Sequence, residues 1–301
     1  MLICDTHADT LWSLCWDERP DDLPFDVTRE FLTANKTDVR VQALALFVCT
    51  GGMQLSPTIV ERELAAFEAL KQQGFRQIRE VDEALPGEAN VILTIEGCEA
   101  FQGDVNNVDR FADLGVRIAA LTWNNPNGLC QPAMVGNDEG LTGLGRQMVD
   151  RMRARRIAVD VSHLNERGFD DLLDGPVPPM ASHSCARALC DHPRNLTDRQ
   201  LKALFAQGGF VGVNFYSQFL SDDHKADIDR VIDHMAHMCE LGGEHCVGFG
   251  SDFDGIDEWP DGLRNAGDIP KLLERMSQRG FDQKLIESIA GLNFKHYMER
   301  L

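Results

Sequence analysis

Positive charge is scarce in this sequence. Its 48 acidic residues face only 29 lysines and arginines, a formal net charge of −19. Nucleic acid and anionic membranes repel such a surface, so neither is an expected partner. Long apolar runs are missing too. The longest, around Val41 to Cys49, is interrupted by Gln42 and is far too short to span a bilayer. No basic or apolar segment precedes the first strand at Leu2, and Phe294 to Leu301 is amphipathic, so neither a leader nor a tail anchor is expected. The nine cysteines are odd in number, scattered and without a Cys-x-x-Cys pair, which favours reduced, packed thiols in a cytoplasmic protein. Cys185 and Cys190 are expected on or near one helix, unbridged. There is no Gly-x-Ser-x-Gly turn of a serine hydrolase. The stretch Gly140 to Gly145 lacks the lysine of a phosphate loop and reads as the turn into a helix.

What is present is alternation. A hydrophobic fraction of 43% is ample for a large core. Strand-like runs lie at Leu2–Asp5, Val41–Val48, Val91–Glu96, Val116–Thr122, Ile157–Ser162, Met180–His183, Phe210–Phe215 and Cys246–Asp252. Their apolar, β-branched character suits parallel strands buried on both faces. Between them apolar residues recur at helical spacing, as in Val60, Leu64, Phe67 and Leu70, or Ile228, Val231, Ile232, Met235, Met238 and Cys239. Eight such units without a linker predict a closed (β/α)8 TIM barrel, with residues 1–301 as one domain. An open doubly wound sheet is the competing fold, but it would carry a glycine-rich phosphate turn after an early strand. The widest gap, Thr10 to Arg40, holds Trp12, Trp16 and the acidic turn Asp17 to Asp22, and is expected to form a lid or rim.

The first strand is followed by His7 and Asp9, which alternation aims at one point. Further ionisable residues stand at later strand exits: Glu96, His163, His183 and Asp252. Singly, each has an ordinary structural explanation, such as a helix cap or a hydrogen-bonded core histidine. In a barrel, however, these exits converge on one face. A His-x-Asp pair, two more histidines and a central carboxylate suit two zinc-like ions bridged by that carboxylate, which would lower the pKa of a bridging water. His234 and His237 fall off the apolar stripe of their helix and are expected to be solvated, while His192, His224, His245 and His296 show no partner pattern.

The motifs Asp5-Thr6-His7-Ala8-Asp9, Ile95-Glu96-Gly97, Leu121-Thr122-Trp123-Asn124, Val159-Asp160-Val161-Ser162-His163, Ala181-Ser182-His183-Ser184, Arg194-Asn195 and Gly248 to Gly255 follow one another through nearly the whole chain. In that order the chain resembles the membrane dipeptidase (renal dipeptidase) family of zinc metallopeptidases, within the amidohydrolase-like barrels. The resemblance implies two Zn²⁺ per chain, with His7 and Asp9 on one, His163 and His183 on the other, and Glu96 bridging. It implies a hydroxide between the metals as nucleophile, Asp252 as proton shuttle and Arg194 as the grip on the free carboxylate of a dipeptide substrate. It also implies a homodimer and tolerance of a D-residue at the C-terminal position. Trp123 departs from the family, which places a substrate-polarising histidine there. An indole donates one hydrogen bond and carries no charge, so the preferred substrate is in question. A related amidohydrolase acting on N-acyl amino acids or cyclic amides is the second reading. A metal-bearing barrel that binds without turnover is the third.

Overall fold

Short runs of Val, Ile, Leu and Ala pair side by side with a single polarity, because their side chains are buried on both faces. The computed structural model describes residues 1–15, 24–48, 56–136, 138–173 and 175–301. Trp16 and the acidic turn Asp17 to Asp22, expected as lid or rim, lie outside the described residues. The strands are β1 (Leu2–Asp5), β2 (Val39–Phe47), β3 (Phe75–Gln77), β4 (Ala89–Glu96), β5 (Val116–Ala120), β6 (Ala158–Asp160), β7 (Met180–Ala181), β8 (Phe210–Val213) and β9 (Val247–Phe249). All pairings are parallel, in the order β2-β1-β9-β8-β7-β6-β5-β4-β3. Pairing of β2 with β4 closes the ring. Eight strands thus form a (β/α)8 barrel, as expected from the sequence.

The ninth strand, β3, was not anticipated. It pairs with Ala89 to Val91 at the lower end of β4, while β5 takes the upper end from Leu93. Phe75-Arg76-Gln77 has no apolar run to announce it. Several strands also stop short of their expected ends: β7 after Ala181, β9 after Phe249. Their continuations pass close to one another, with Ser184 N still bonded to Gly212 O at 2.9 Å and Gly250 N to Val213 O at 3.1 Å. Glycines make room for this close approach. A Cβ on Gly250 would lie 1.8 Å from the Ser182 carbonyl oxygen, and one on Gly212 would lie 2.2 Å from it.

Helices alternate with the strands, among them Thr10–Cys15, Ser56–Gln72, Gly143–Ala154, Asp198–Ala206 and Ile228–Met238. Thr142 caps Gly143–Ala154 by accepting from Gly145 N, and Thr197 with Gln200 forms a capping box on Asp198–Ala206. The helix Asn293–Met298 closes the floor of the barrel, where Phe294, Tyr297 and Met298 pack on Cys4, Ile92, Ile118, Met180 and Phe210. Tyr297 donates its hydroxyl to Pro178 O at 3.0 Å. Among the described residues no helix is long and apolar enough to cross a membrane.

Two local expectations are corrected. Cys185 and Cys190 sit in the loop after β7 and not on a helix, and both thiols are free. His234 is fully buried rather than solvated. Its Nδ1 accepts from Ala186 N and its Nε2 donates to Leu220 O, each at 3.0 Å. His237 is half-buried and pairs with Asp198 at 2.8 Å.

Burial holds the His234 imidazole down at about 4, below its ordinary 6.5. Between those pH values the unfolded chain binds a proton that the folded chain refuses, so this residue's contribution to stability declines as pH falls. Across that window, the unfolding free energy of the parent should fall relative to His234→Asn by up to roughly 3 kcal/mol. Denaturant melts at a series of pH values measure this. A pH-independent difference would mean that His234 titrates normally.

Candidate metal centre

Each expected donor stands at or just past a strand end. His7 and Asp9 follow β1, Glu96 ends β4, His163 follows β6, His183 follows β7 and Asp252 follows β9. They meet around Glu96. Its Oε1 lies 2.7 Å from His163 Nε2 and 3.4 Å from His183 Nε2, while Oε2 lies 3.6 Å from His7 Nε2. His7 Nε2 is in turn 3.6 Å from Asp9 Oδ2 and 3.7 Å from Asp252 Oδ1. Two groups of potential ligand atoms result, His7 with Glu96 and His183, and His7 with Asp9 and Asp252, each gathered within 4.8 Å. They share His7, so this grouping cuts across the pairing that the resemblance implies. His163 belongs to neither group, although it makes the shortest contact with Glu96.

A second layer turns the imidazoles. His163 Nδ1 is 2.9 Å from Asn124 Oδ1, and His183 Nδ1 is 2.7 Å from Ser182 Oγ. Asn124 Oδ1 can only accept, and Ser182 Oγ already donates to Asp160, so both Nδ1 atoms donate. Each ring therefore presents a bare Nε2 to the centre, the tautomer a metal ligand needs. Those two Nε2 atoms are 2.9 Å apart. Two facing lone pairs repel; Arg194 Nη2 answers that of His163 at 2.8 Å, and that of His183 is left to a further cation. Moreover, His7 Nε2 and Asp9 Oδ1 are buried without a hydrogen-bond partner. Facing lone pairs and orphaned donors of nitrogen and oxygen type fit divalent zinc-like ions.

The backbone is clamped by two carboxylates that the sequence reading did not single out. Asp5, last in β1, accepts from Ser251 N at 2.9 Å and Ser251 Oγ at 2.5 Å. Asp160, last in β6, accepts from Ser162 N, Ser162 Oγ and Ser182 N at 2.9, 2.6 and 3.0 Å. A third clamp joins Asp254 to Asp26, each accepting the other's backbone N–H, at 2.7 and 3.1 Å. It secures the turn that carries Asp252, which has φ of 65°. Gly255 leaves space there, since a Cβ on it would lie 2.1 Å from Asp9 Oδ2 and 3.0 Å from Asp252 Oδ1.

Charge and burial oppose each other here. Burial alone would raise Glu96 and lower His7, but their mutual attraction, aided by His163 and Asp9, holds Glu96 well below and His7 well above their ordinary values. Burial, then Arg194, pushes His163 down to about 4. Burial, then His7, pushes His183 well down. Burial, then Glu96, raises Asp9 to about 7, and burial raises Asp252. Glu63 is another buried acid missed from the sequence, because it lies on the apolar stripe of Ser56–Gln72. Burial and then Asp9 hold it well above the carboxylate range.

Asp9, Glu96, Trp123, His163, Arg194 and Asp252 line one cavity of about 590 Å³. Arg194 is buried. Its Nη2 donates to His163 Nε2 at 2.8 Å, its guanidinium lies 5.4 Å from the Phe219 ring, and Nε and Nη1 have no hydrogen-bond partner. Trp123 stands in the cavity wall, 6.2 Å from the His163 ring and edge-on to Phe47 at 5.2 Å. Phe47 meets Trp12 at 4.9 Å, so one wall is aromatic. His192, without an expected partner, stacks on Phe219 at 4.6 Å and accepts from Arg194 N at 3.2 Å.

The family model for membrane dipeptidase (peptidase family M19) matches residues 1–300. An uncharacterised protein from the pqqA 5′ region of Klebsiella pneumoniae is 34% identical over 222 residues, covering 70% of this chain and 82% of its own. An uncharacterised dipeptidase of Schizosaccharomyces pombe is 36% identical over 207 residues, covering 67% of this chain but only 51% of the yeast protein. Among solved structures, a metallopeptidase of Rhodobacter sphaeroides bound to a phosphinate mimic of the dipeptide L-Ala-D-Ala superposes with a TM-score of 0.88 at 26% identity. That alignment covers 100% of this chain and 99% of the other.

Asn124→Ala frees His163 to turn. Zinc affinity should drop about 10- to 100-fold, the usual worth of a partner that orients a ligating histidine. Chelator competition measures it, and unchanged affinity would remove Asn124 from the metal's support.

Proposed function

Because the chain belongs to the membrane dipeptidase family, peptidase family M19, we propose that it hydrolyses dipeptides whose C-terminal carboxylate is free, with two zinc ions per chain. The observation that carries this reading is a buried guanidinium with unpaired N–H groups beside a carboxylate ringed by histidines. Bound zinc would polarise the scissile carbonyl and lower the pKa of water held between the ions. His7 and Asp9 would hold one ion, His163 and His183 the other, and Glu96 would offer an oxygen to each. Asn124 and Ser182 keep the imidazoles turned for that task.

Asp252 is suited to proton transfer. Its side chain is 13% exposed at the cavity, Asn214 Nδ2 steadies Oδ2 at 2.8 Å, and burial raises its pKa toward the working range. It would take a proton from the attacking water and return it to the leaving amine. Arg194 keeps the N–H groups of Nε and Nη1 without a partner on a permanently charged, buried guanidinium, donors that a substrate carboxylate would satisfy. A longer peptide would present an amide at that point and leave the charge unanswered. The phosphinate held by the Rhodobacter relative mimics L-Ala-D-Ala, which supports a dipeptide substrate and a D-residue at its C-terminal position. Trp123 and its aromatic neighbours would then bound the space for a substrate side chain.

Asp252→Asn should retain metal and lose about two to four powers of ten in kcat, the range of positioned acid–base catalysis. Parental turnover in that variant would refute the shuttle. Arg194→Met should collapse kcat/KM, amidating the substrate should do similar harm to the parent, and the two losses should not add. Equal parental activity on free and amidated dipeptides would instead favour an amidohydrolase of broader substrate range.

A further inference from the structure

The helix Ile228–Met238 is remote from the reacting groups, yet it holds both segments that flank Arg194. Arg230 Nε donates to Leu220 O at 2.7 Å, and its Nη2 donates to Leu189 O. His234, one turn on, donates from Nε2 to the same Leu220 carbonyl at 3.0 Å and accepts from Ala186 N at Nδ1. Ala186 and Leu189 belong to the loop that runs from β7 to Arg194. Leu220 ends the short helix Ser217–Leu220, which carries Phe219 beneath the guanidinium.

The loop itself is tightly closed. Arg187 N donates to Leu196 O at 2.8 Å, and Leu196 N donates to Cys185 O at 2.9 Å. Asn195 Nδ2 donates to Cys190 O at 2.9 Å and to Phe219 O at 2.8 Å. A displacement at Ala186 or Leu189 therefore carries through to Arg194, and a displacement at Leu220 carries through Phe219. Only a neutral imidazole protonated at Nε2 satisfies an N–H on one side and a carbonyl on the other. We propose that Arg230 and His234 are positioning residues for Arg194, setting the distance between its guanidinium and the substrate carboxylate. The proposal rests on the dipeptidase reading above.

The geometry supplies a discriminating pair of substitutions. Asparagine places an amide oxygen near the position of Nδ1 and keeps the bond to Ala186. Glutamine places its amide nitrogen near Nε2 and loses that bond. Steady-state kinetics on the zinc-loaded full chain, with a free dipeptide and its C-terminal amide, decide the matter. His234→Gln and Arg230→Met should each raise KM for the free dipeptide about tenfold, with kcat within about threefold, the scale expected for one misplaced charged hydrogen bond. Both should shrink the preference for acid over amide, and their double variant should fall short of the product of the two effects. His234→Asn should stay within about threefold of the parental KM. Unchanged KM and preference in His234→Gln and Arg230→Met, a loss confined to kcat, or identical behaviour of His234→Asn and His234→Gln would overturn the proposal. Should His234→Gln fail to fold, Arg230→Met, at a side chain 28% exposed, carries the comparison alone. A parent that hydrolyses no dipeptide, or prefers the amide, would instead refute the dipeptidase reading.

Discussion

One buried carboxylate governs the mouth of the barrel. Glu96 remains ionised away from water because His7, held well above its ordinary pKa, stands 3.6 Å from Oε2. Around it lie further acids, Asp9, Asp252 and Glu63, all pushed upward by burial, and Arg194 is the only permanent cation among the described residues lining the cavity. Such an excess of buried negative charge is expensive unless positive charge joins it. Divalent ions answer that need. A small share of the chain's acidic residues thus lies where it has chemical use.

The barrel achieves this crowding by ending its strands early. β7 has only two ladder residues. Backbone groups released from the ladder are taken up by carboxylates: Asp160 gathers Ser162 and Ser182, while Asp5 gathers Ser251. The same clamps fix the residues beside His163, His183 and Asp252. Strand termination and donor placement are therefore one structural event, and the glycines at 212 and 250 are what make the close approach sterically possible.

Much of this was legible in the sequence because chemistry-bearing residues recur at the ends of apolar runs. His7, Asp9, Glu96, His163, His183 and Asp252 each follow such a run, and closure of the barrel brings them together. The features hidden in the sequence lack that signature. β3 contains Arg76 and Gln77 and is a strand only because β4 offers it an edge. His234 reads as solvated in the sequence because a polar ring interrupts a hydrophobic stripe, while its partners are backbone atoms of two distant loops. Glu63 sits in register with Val60 and Phe67, and only the fold reveals that an acid has entered the interior. Trp123 was identified as a departure, but its place in the cavity wall depends on Phe47 and Trp12, from two other strand exits.

The floor of the barrel has a temporal meaning. Phe294, Tyr297 and Met298 fill the end opposite the metal centre, and in chain order they come after all nine strands. β1 must also wait for β9 before it gains its second neighbour. During synthesis the growing sheet therefore has an open seam and an unplugged base, with Cys4, Ile92 and Phe210 still accessible to water. Contacts of such long sequence separation slow folding and leave apolar surface uncovered meanwhile. His7, Asp9 and Glu96 emerge from the ribosome long before His183 and Asp252. The cluster around Glu96 is thus completed late, with closure of the ring rather than with the making of its first strands.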